Sequence, residues 1–198
     1  MKSYFLIIPW FVISLSAGNL NIFPTSKPIE IKNNKLSYIN NFYFGLGFGK
    51  VKISSPLEEL KSNTLSLTLG YTINPYLSLE ARYTKSIEDL EYKSKTKSKD
   101  IDSTYSNLAL FSKLSYPIHN FKPYILLGYG KNKITNLAKT TRDENSFEYG
   151  AGLEYKINSN FSINLDYIRA YNKKGFDNRA IDQRVKIDLI TASLTYNF

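Results

Sequence analysis

From residue 40 onward apolar and polar residues alternate with a period of two, the period of a β-strand with unlike faces. The alternating runs predict eight strands, over residues 40–53, 64–73, 76–92, 101–116, 121–131, 146–157, 161–171 and 184–198. Tight turns separate some of them: Asn74-Pro75, Pro117-Ile118-His119-Asn120 and Asn158-Ser159-Asn160. Tyr71-Thr72-Ile73-Asn74 and Tyr155-Lys156-Ile157-Asn158 are near copies, so one hairpin unit recurs. The remaining joints are longer polar stretches, 54–63, 93–100, 132–145 and 172–183, which predict loops. Short turns alternating with long loops are what a barrel crossing an outer membrane shows, with the short turns periplasmic. An even strand count returns both chain ends to the short-turn side.

The two faces differ in kind as well as in polarity. One collects Phe42, Phe44, Leu46 and Phe48, then Leu65, Leu67, Leu69 and Tyr71, and so on to Ile190, Ala192, Leu194, Tyr196 and Phe198. It carries no charge, and Ser112 is its one polar mid-strand residue. Its aromatics sort by height: Tyr71, Tyr116, Phe121, Tyr155, Phe161, Tyr196 and Phe198 beside the short turns, and Tyr83, Tyr129, Phe147 and Tyr167 toward the loops. Two aromatic girdles around an aliphatic band mark a lipid interface. The opposite face is Gly, Ser and Thr with scattered charges, which suits a crowded lumen. A soluble β-sandwich also alternates, but its polar face meets water and has no reason to be glycine-rich, nor its apolar face to sort aromatics by height. The pattern therefore predicts an all-β fold, an eight-stranded antiparallel up-and-down transmembrane β-barrel over residues 40–198.

Composition agrees. Tyr (16) and Phe (12) dominate the aromatics, while the mean hydropathy of −0.30 leaves no room for a bundle of membrane helices. The N-terminus has Lys2, an apolar run over 4–15 interrupted by Pro9, and the small residues Ser14, Ser16, Ala17 and Gly18. That is the layout of a signal peptide, expected over 1–18, and the run is short of the ~20 residues a spanning helix needs. Residues 19–39, with Pro24 and Pro28, are expected to form a periplasmic tail. Without a cysteine, neither a disulfide scaffold nor thiol chemistry is available.

Candidate chemistry follows from the faces. The lumen face carries Arg82, Lys113, Lys122 and Lys156 against Glu80, Glu148, Glu154 and Asp166. The match predicts an internal ion-pair network, since the bore of an eight-stranded barrel is just wide enough for side chains. A polar plug is favoured over an ion path. The sole histidine, His119, falls in a tight turn on the predicted periplasmic side, away from any outer-leaflet substrate, so no catalytic site is expected. Gly45-x-Gly47-x-Gly49 has the wrong spacing for a phosphate loop and no helix follows it. Neither a metal nor a cofactor is expected. The net charge of +9 gathers at the loop end, in Lys93, Lys95, Lys97 and Lys99 and in Lys173, Lys174 and Arg179. Such a rim fits anionic partners, lipopolysaccharide phosphates or host polyanions, and fits equally a solvated edge that keeps strands soluble. No nucleic-acid partner is expected.

The leader, the glycine-alternating strand Phe42-Tyr43-Phe44-Gly45-Leu46-Gly47-Phe48-Gly49, the Lys122-Pro123-Tyr124 start of the fifth strand and the terminal Leu194-Thr195-Tyr196-Asn197-Phe198 together resemble the small outer-membrane barrels of the OmpA/OmpX type. The resemblance spans about residues 40–198. It implies a multi-pass protein of the bacterial outer membrane with a structural, porin-like or adhesive surface role, and no peptidoglycan-binding domain. It also implies that Tyr196 and Phe198 form the terminal signal read by the outer-membrane assembly machinery. Fold and location are specific to the resemblance; activity is not, because one fold hosts many functions.

Overall fold

The computed structural model describes residues 41–56, 59–93, 98–101, 103–137, 140–176 and 179–198. The expected leader and tail, 1–18 and 19–39, lie outside the described residues. The strands are β1 Phe42–Ser54, β2 Glu59–Asn74, β3 Leu77–Ser86, β4 Leu90–Lys93, β5 Ser98–Ile101, β6 Thr104–Ser115, β7 Phe121–Leu137, β8 Thr140–Lys156, β9 Phe161–Phe176 and β10 Arg179–Asn197. Eight of them form a ring in the order β1-β10-β9-β8-β7-β6-β3-β2, and β2 pairs back onto β1. Every pairing is antiparallel, so the wall has no free edge to expose unpaired backbone to lipid. At the closing seam Tyr43 faces Asn197 on one side and Gly70 on the other.

Outward residues match the predicted apolar face strand by strand. Phe44, Leu67, Leu110, Tyr129, Leu165 and Leu194 are all exposed, Leu110 at 68%. In water so large an apolar surface would drive association; in a bilayer it is the surface the solvent demands. Ring pairs gird the short-turn end at the seams between neighbouring strands: Phe42–Tyr71 at 4.9 Å, Phe121–Tyr155 at 5.0 Å and Phe161–Tyr196 at 5.1 Å. The lipid-facing stretch from Ile190 on β10 to Phe198 just past its end meets the ~9–11 residues a tilted strand needs to cross.

Two expectations are corrected. The predicted strands 76–92 and 101–116 are each cut in two, because the backbone turns aside after β3: Ile87 N donates to Asn63 O at 2.9 Å and Ser62 Oγ to Glu88 O at 2.8 Å. The chain then runs out as the β4–β5 hairpin, whose β4 pairs with the start of β2, Leu60 opposite Tyr92. The second correction concerns the polar stretches 54–63, 132–145 and 172–183, which are mostly strand. Leading into these stretches, β1 and β10 keep the period of two with its polarity reversed, while β9 breaks it at a register shift between Arg169 and Tyr171. In β1, Lys50 and Lys52 point outward while Val51 and Ile53 are buried; in β10, Val185, Ile187 and Leu189 are buried between more exposed Arg184, Lys186 and Asp188. Below this level the wall is apolar outside and polar inside; above it, polar outside and largely apolar inside, with Ser62, Ser86 and Asn132 buried among the aliphatics. The reversal marks where the barrel leaves the lipid.

Candidate functional site

The lumen is filled at two levels. At mid-height Arg82 on β3 makes Nε–Oε2 and Nη2–Oε2 contacts of 2.6 Å each to Glu80, and Nη1 reaches Asp166 Oδ1 on β9 at 3.0 Å. In the ring β3 and β9 stand four strands apart in either direction, so this ion pair spans the bore from one wall to the opposite one. Lys113 on β6 joins it, 3.3 Å from Glu80 Oε1 and 2.9 Å from Glu154 Oε2, with its ammonium 4.2 Å from the Tyr124 ring centroid. Two tyrosines tie the network to the wall: Tyr43 donates to Glu80 at 2.7 Å and Tyr124 to Asp166 at 3.0 Å. Each lies across a glycine on the neighbouring strand. A Cβ on Gly70 would stand 2.0 Å from the Tyr43 ring, and one on Gly152 2.4 Å from the Tyr124 ring. Those glycines exist so that the rings can lie flat over them.

Five of the eight predicted lumen charges are thus brought together: Glu80, Arg82, Lys113, Glu154 and Asp166. Glu148 stands apart in a cradle of neutral amides, Oε1 accepting from Asn107 Nδ2 at 2.7 Å and Asn132 Nδ2 at 3.2 Å, while Oε2 is buried without a hydrogen-bond partner. Lys122 is half-buried and Lys156 exposed at the short-turn end; among the described residues neither has a carboxylate within ion-pair distance. Sequence gave the inward parity of these residues but not their height, which the stagger of the strands sets. Tyr43 and Tyr124 were visible only as aromatics at inward parity opposite glycines.

Above the ions lies a layer the sequence reading missed. Val51, Ile53, Leu60, Leu90, Ile134 and Ile187 fill the loop-end bore, all buried, and the Tyr171 and Phe176 rings meet edge to face at 5.2 Å. The signal was present for the aliphatics, which keep the inward parity of their strands among charged neighbours, but not for Tyr171, which a register shift between Arg169 and Tyr171 turns inward.

Outside, at the same height, runs a charged rim. Across it Arg169, Asp188, Lys52, Lys61 and Glu91 sit opposite one another on successive strands. The Arg169 guanidinium bonds the Asp188 carboxyl, which also accepts from Tyr167 at 2.6 Å. Lys52 and Lys61 converge on Glu59 at 2.7 and 2.6 Å, and their hydrogen bonds hold its carboxyl low, at about 2. Of the predicted basic loop residues, Lys173 and Lys174 are exposed on β9, and Lys173 donates to Asn145 O at 3.1 Å. Lys93 and Lys99 lie in β4 and β5 and Arg179 opens β10, while Lys95 and Lys97 fall outside the described residues. His119 is exposed in its turn, held at a φ of 55°. At the C-terminus Phe198 N donates to Phe42 O at 3.1 Å, and the Phe198 ring meets Tyr196 edge-on at 5.1 Å.

A closed antiparallel ring with an apolar outer belt, aromatic girdles and a packed interior is a transmembrane β-barrel. The chain belongs to the outer membrane protein beta-barrel domain family, whose model matches residues 35–198, and it is a protein of the bacterial outer membrane. It is similar in structure to Neisserial surface protein A (TM-score 0.61, 20% identity, 79% of this chain and 97% of that one). It is also similar to Ail, the attachment invasion locus protein of Yersinia pestis, in complex with the heparin analogue sucrose octasulfate (TM-score 0.53, 19% identity, 80% and 98%). A third similar structure is OprG of Pseudomonas aeruginosa (TM-score 0.51, 15% identity, 81% and 97%). No curated protein sequence matches the chain.

Proposed function

We propose that this protein is a closed, non-catalytic structural barrel of the outer membrane that presents a basic extracellular rim to anionic ligands. The observation that carries the reading is the doubly closed bore, with the Arg82–Asp166 bridge across its full width and the apolar layer above it. A conducting pore would need a continuous polar path, and the layer around Ile187 interrupts one. That weighs against the narrow-channel alternative. The rim supplies the contact surface: Lys131, Lys133, Lys173 and Lys174 are exposed at the loop end, beyond the lipid belt. The ligand class is a sulfated or phosphorylated glycan, lipopolysaccharide of the same membrane or a host polyanion; the sulfated sugar bound by Ail, a barrel of the same fold, is of that chemistry. Phe198 and Tyr196 serve assembly by presenting a terminal aromatic pair to the insertion machinery.

The test has two arms. In planar bilayers the purified barrel should give no unitary conductance steps, and it should be retained on a sulfated-glycan matrix with retention falling steeply as salt rises. Reproducible steps in the wild type would replace this reading with the channel one. Retention indifferent to salt would remove the basic rim from the contact.

A further inference from the structure

Just above the lipid belt the outer wall carries a cleft of about 1030 Å³ over the tops of β1 and β2. Its lower lip is Tyr167 and Ile190, the last lipid-facing residues of β9 and β10, which stand on one row with Lys50 and Asn63. The cleft therefore opens directly onto the acyl region at the depth of lipid headgroups. Its far wall is the segment after β3, pinned by the Ile87–Asn63 backbone bond and by Asn63 Nδ2 donating to Glu88 Oε2 at 3.0 Å. A wall tied at several points is a formed site, not a transient gap.

The charges lining it have unequal freedom. Lys52 and Lys61 are committed to Glu59, and Asp188 to Arg169 and Tyr167. Lys50 on the floor and Asp89 on the wall have no ion-pair partner among the described residues, and Glu88 has only the Asn63 amide. One free cation and two available carboxylates thus face the same space. A purely anionic headgroup would meet the wall carboxylates, and a purely cationic one the floor lysines. A headgroup with both charges a few bonds apart satisfies both.

We infer that this cleft seats the headgroup of a phosphoethanolamine-bearing lipid of the outer leaflet. Lys50 takes the phosphate, Asp89 and Glu88 take the ammonium, and the acyl chains descend past Ile190 and Tyr167. The inference needs only the membrane location of the barrel and is independent of the glycan reading above.

The experiment uses the full chain in detergent micelles doped with equal phosphatidylethanolamine, phosphatidylglycerol and phosphatidylcholine, with EDTA present, and reads bound lipid by native mass spectrometry. The expected result is selective retention of phosphatidylethanolamine. Lys50→Ala and Asp89→Asn should each cut its excess over phosphatidylglycerol about tenfold, the ratio lost with one charge-assisted hydrogen bond. Lys156→Ala, at the short-turn end and outside the cleft, should leave the excess unchanged, and heat-modifiable gel mobility verifies that every variant is folded. Three results would overturn the proposal. They are phosphatidylglycerol retained as well as phosphatidylethanolamine, a preference unmoved by both cleft variants, or retention that appears only when magnesium replaces EDTA.

Discussion

Glu80 and Glu148 are both buried lumen carboxylates of one barrel, yet they belong to different physical situations. Glu80 touches Arg82, Lys113 and Tyr43, so removing its charge leaves two buried cations with one carboxylate each, Asp166 for Arg82 and Glu154 for Lys113. Loss of one partner from a buried pair costs ~3–5 kcal/mol, and Glu80→Gln should destabilise the barrel by about that much in guanidinium unfolding from micelles. Glu148 faces only amides and leaves one oxygen unpartnered. In Glu148→Gln the amide oxygen keeps both acceptor bonds and no cation loses its counter-charge, so the cost should stay below about 1 kcal/mol. Equal losses in the two variants would mean that Glu148 is wired into the ion network after all. The sequence placed both residues on the lumen face, because parity alone decides that. It could not tell them apart, because the partner of Arg82 is Asp166, 84 residues on, and reaches it only through the ring's diameter.

At the scale of elements, the feature with most consequence is the reversal of polarity along single strands. Alternation made the lipid-embedded half legible, including the turns and the face of every outward aliphatic. It failed at the loop end because charged residues dominate the composition there, and composition outvoted a period that had not stopped. The detour into β4–β5 was hidden for another reason: hydrogen bonds from Ile87 and Ser62 redirect a chain whose own residues would continue the strand. The reversal yields opposite expectations for two isoleucine- and leucine-sized positions. Leu165→Arg, on the lipid face, should cost ~2–4 kcal/mol, the penalty of an arginine near the bilayer midplane. Ile187→Ala, inside the bore above the lipid and fully buried, should cost ~2–5 kcal/mol although both its chain neighbours, Lys186 and Asp188, are charged. Lys186→Ala beside it should be near neutral. Chemical unfolding of the three in one detergent is the measurement, and an Ile187→Ala as mild as Lys186→Ala would dissolve the apolar layer.

At the scale of the whole molecule, orientation and closure can be tested separately. The chain has no cysteine, so single substitutions report accessibility without background. Lys174→Cys, at the loop end, should react with a membrane-impermeant maleimide on intact cells, and Ser159→Cys, in the short turn before β9, only after permeabilisation. The reverse pattern would turn the barrel over. Closure itself rests on a long seam. β1 and β10 pair over twelve residues, Tyr43 opposite Asn197 through Ser54 opposite Lys186; Phe198 adds one backbone bond to that seam and a ring contact to Tyr196 on its own side of it. Its deletion therefore removes little of what holds the ring shut: a net hydrogen bond of ~0.5–1.5 kcal/mol and an edge-on aromatic contact of similar size. If Phe198 matters for more than its contacts, the difference must appear only where assembly is catalysed. Deletion of Phe198 should abolish the heat-modifiable compact form in cell envelopes while export continues, yet the same chain refolded from denaturant into micelles should regain it. Recovery in both settings would leave Phe198 as one aromatic of the girdle and discard the signal. Failure in both would show that the seam depends on its last residue far more than twelve paired residues predict.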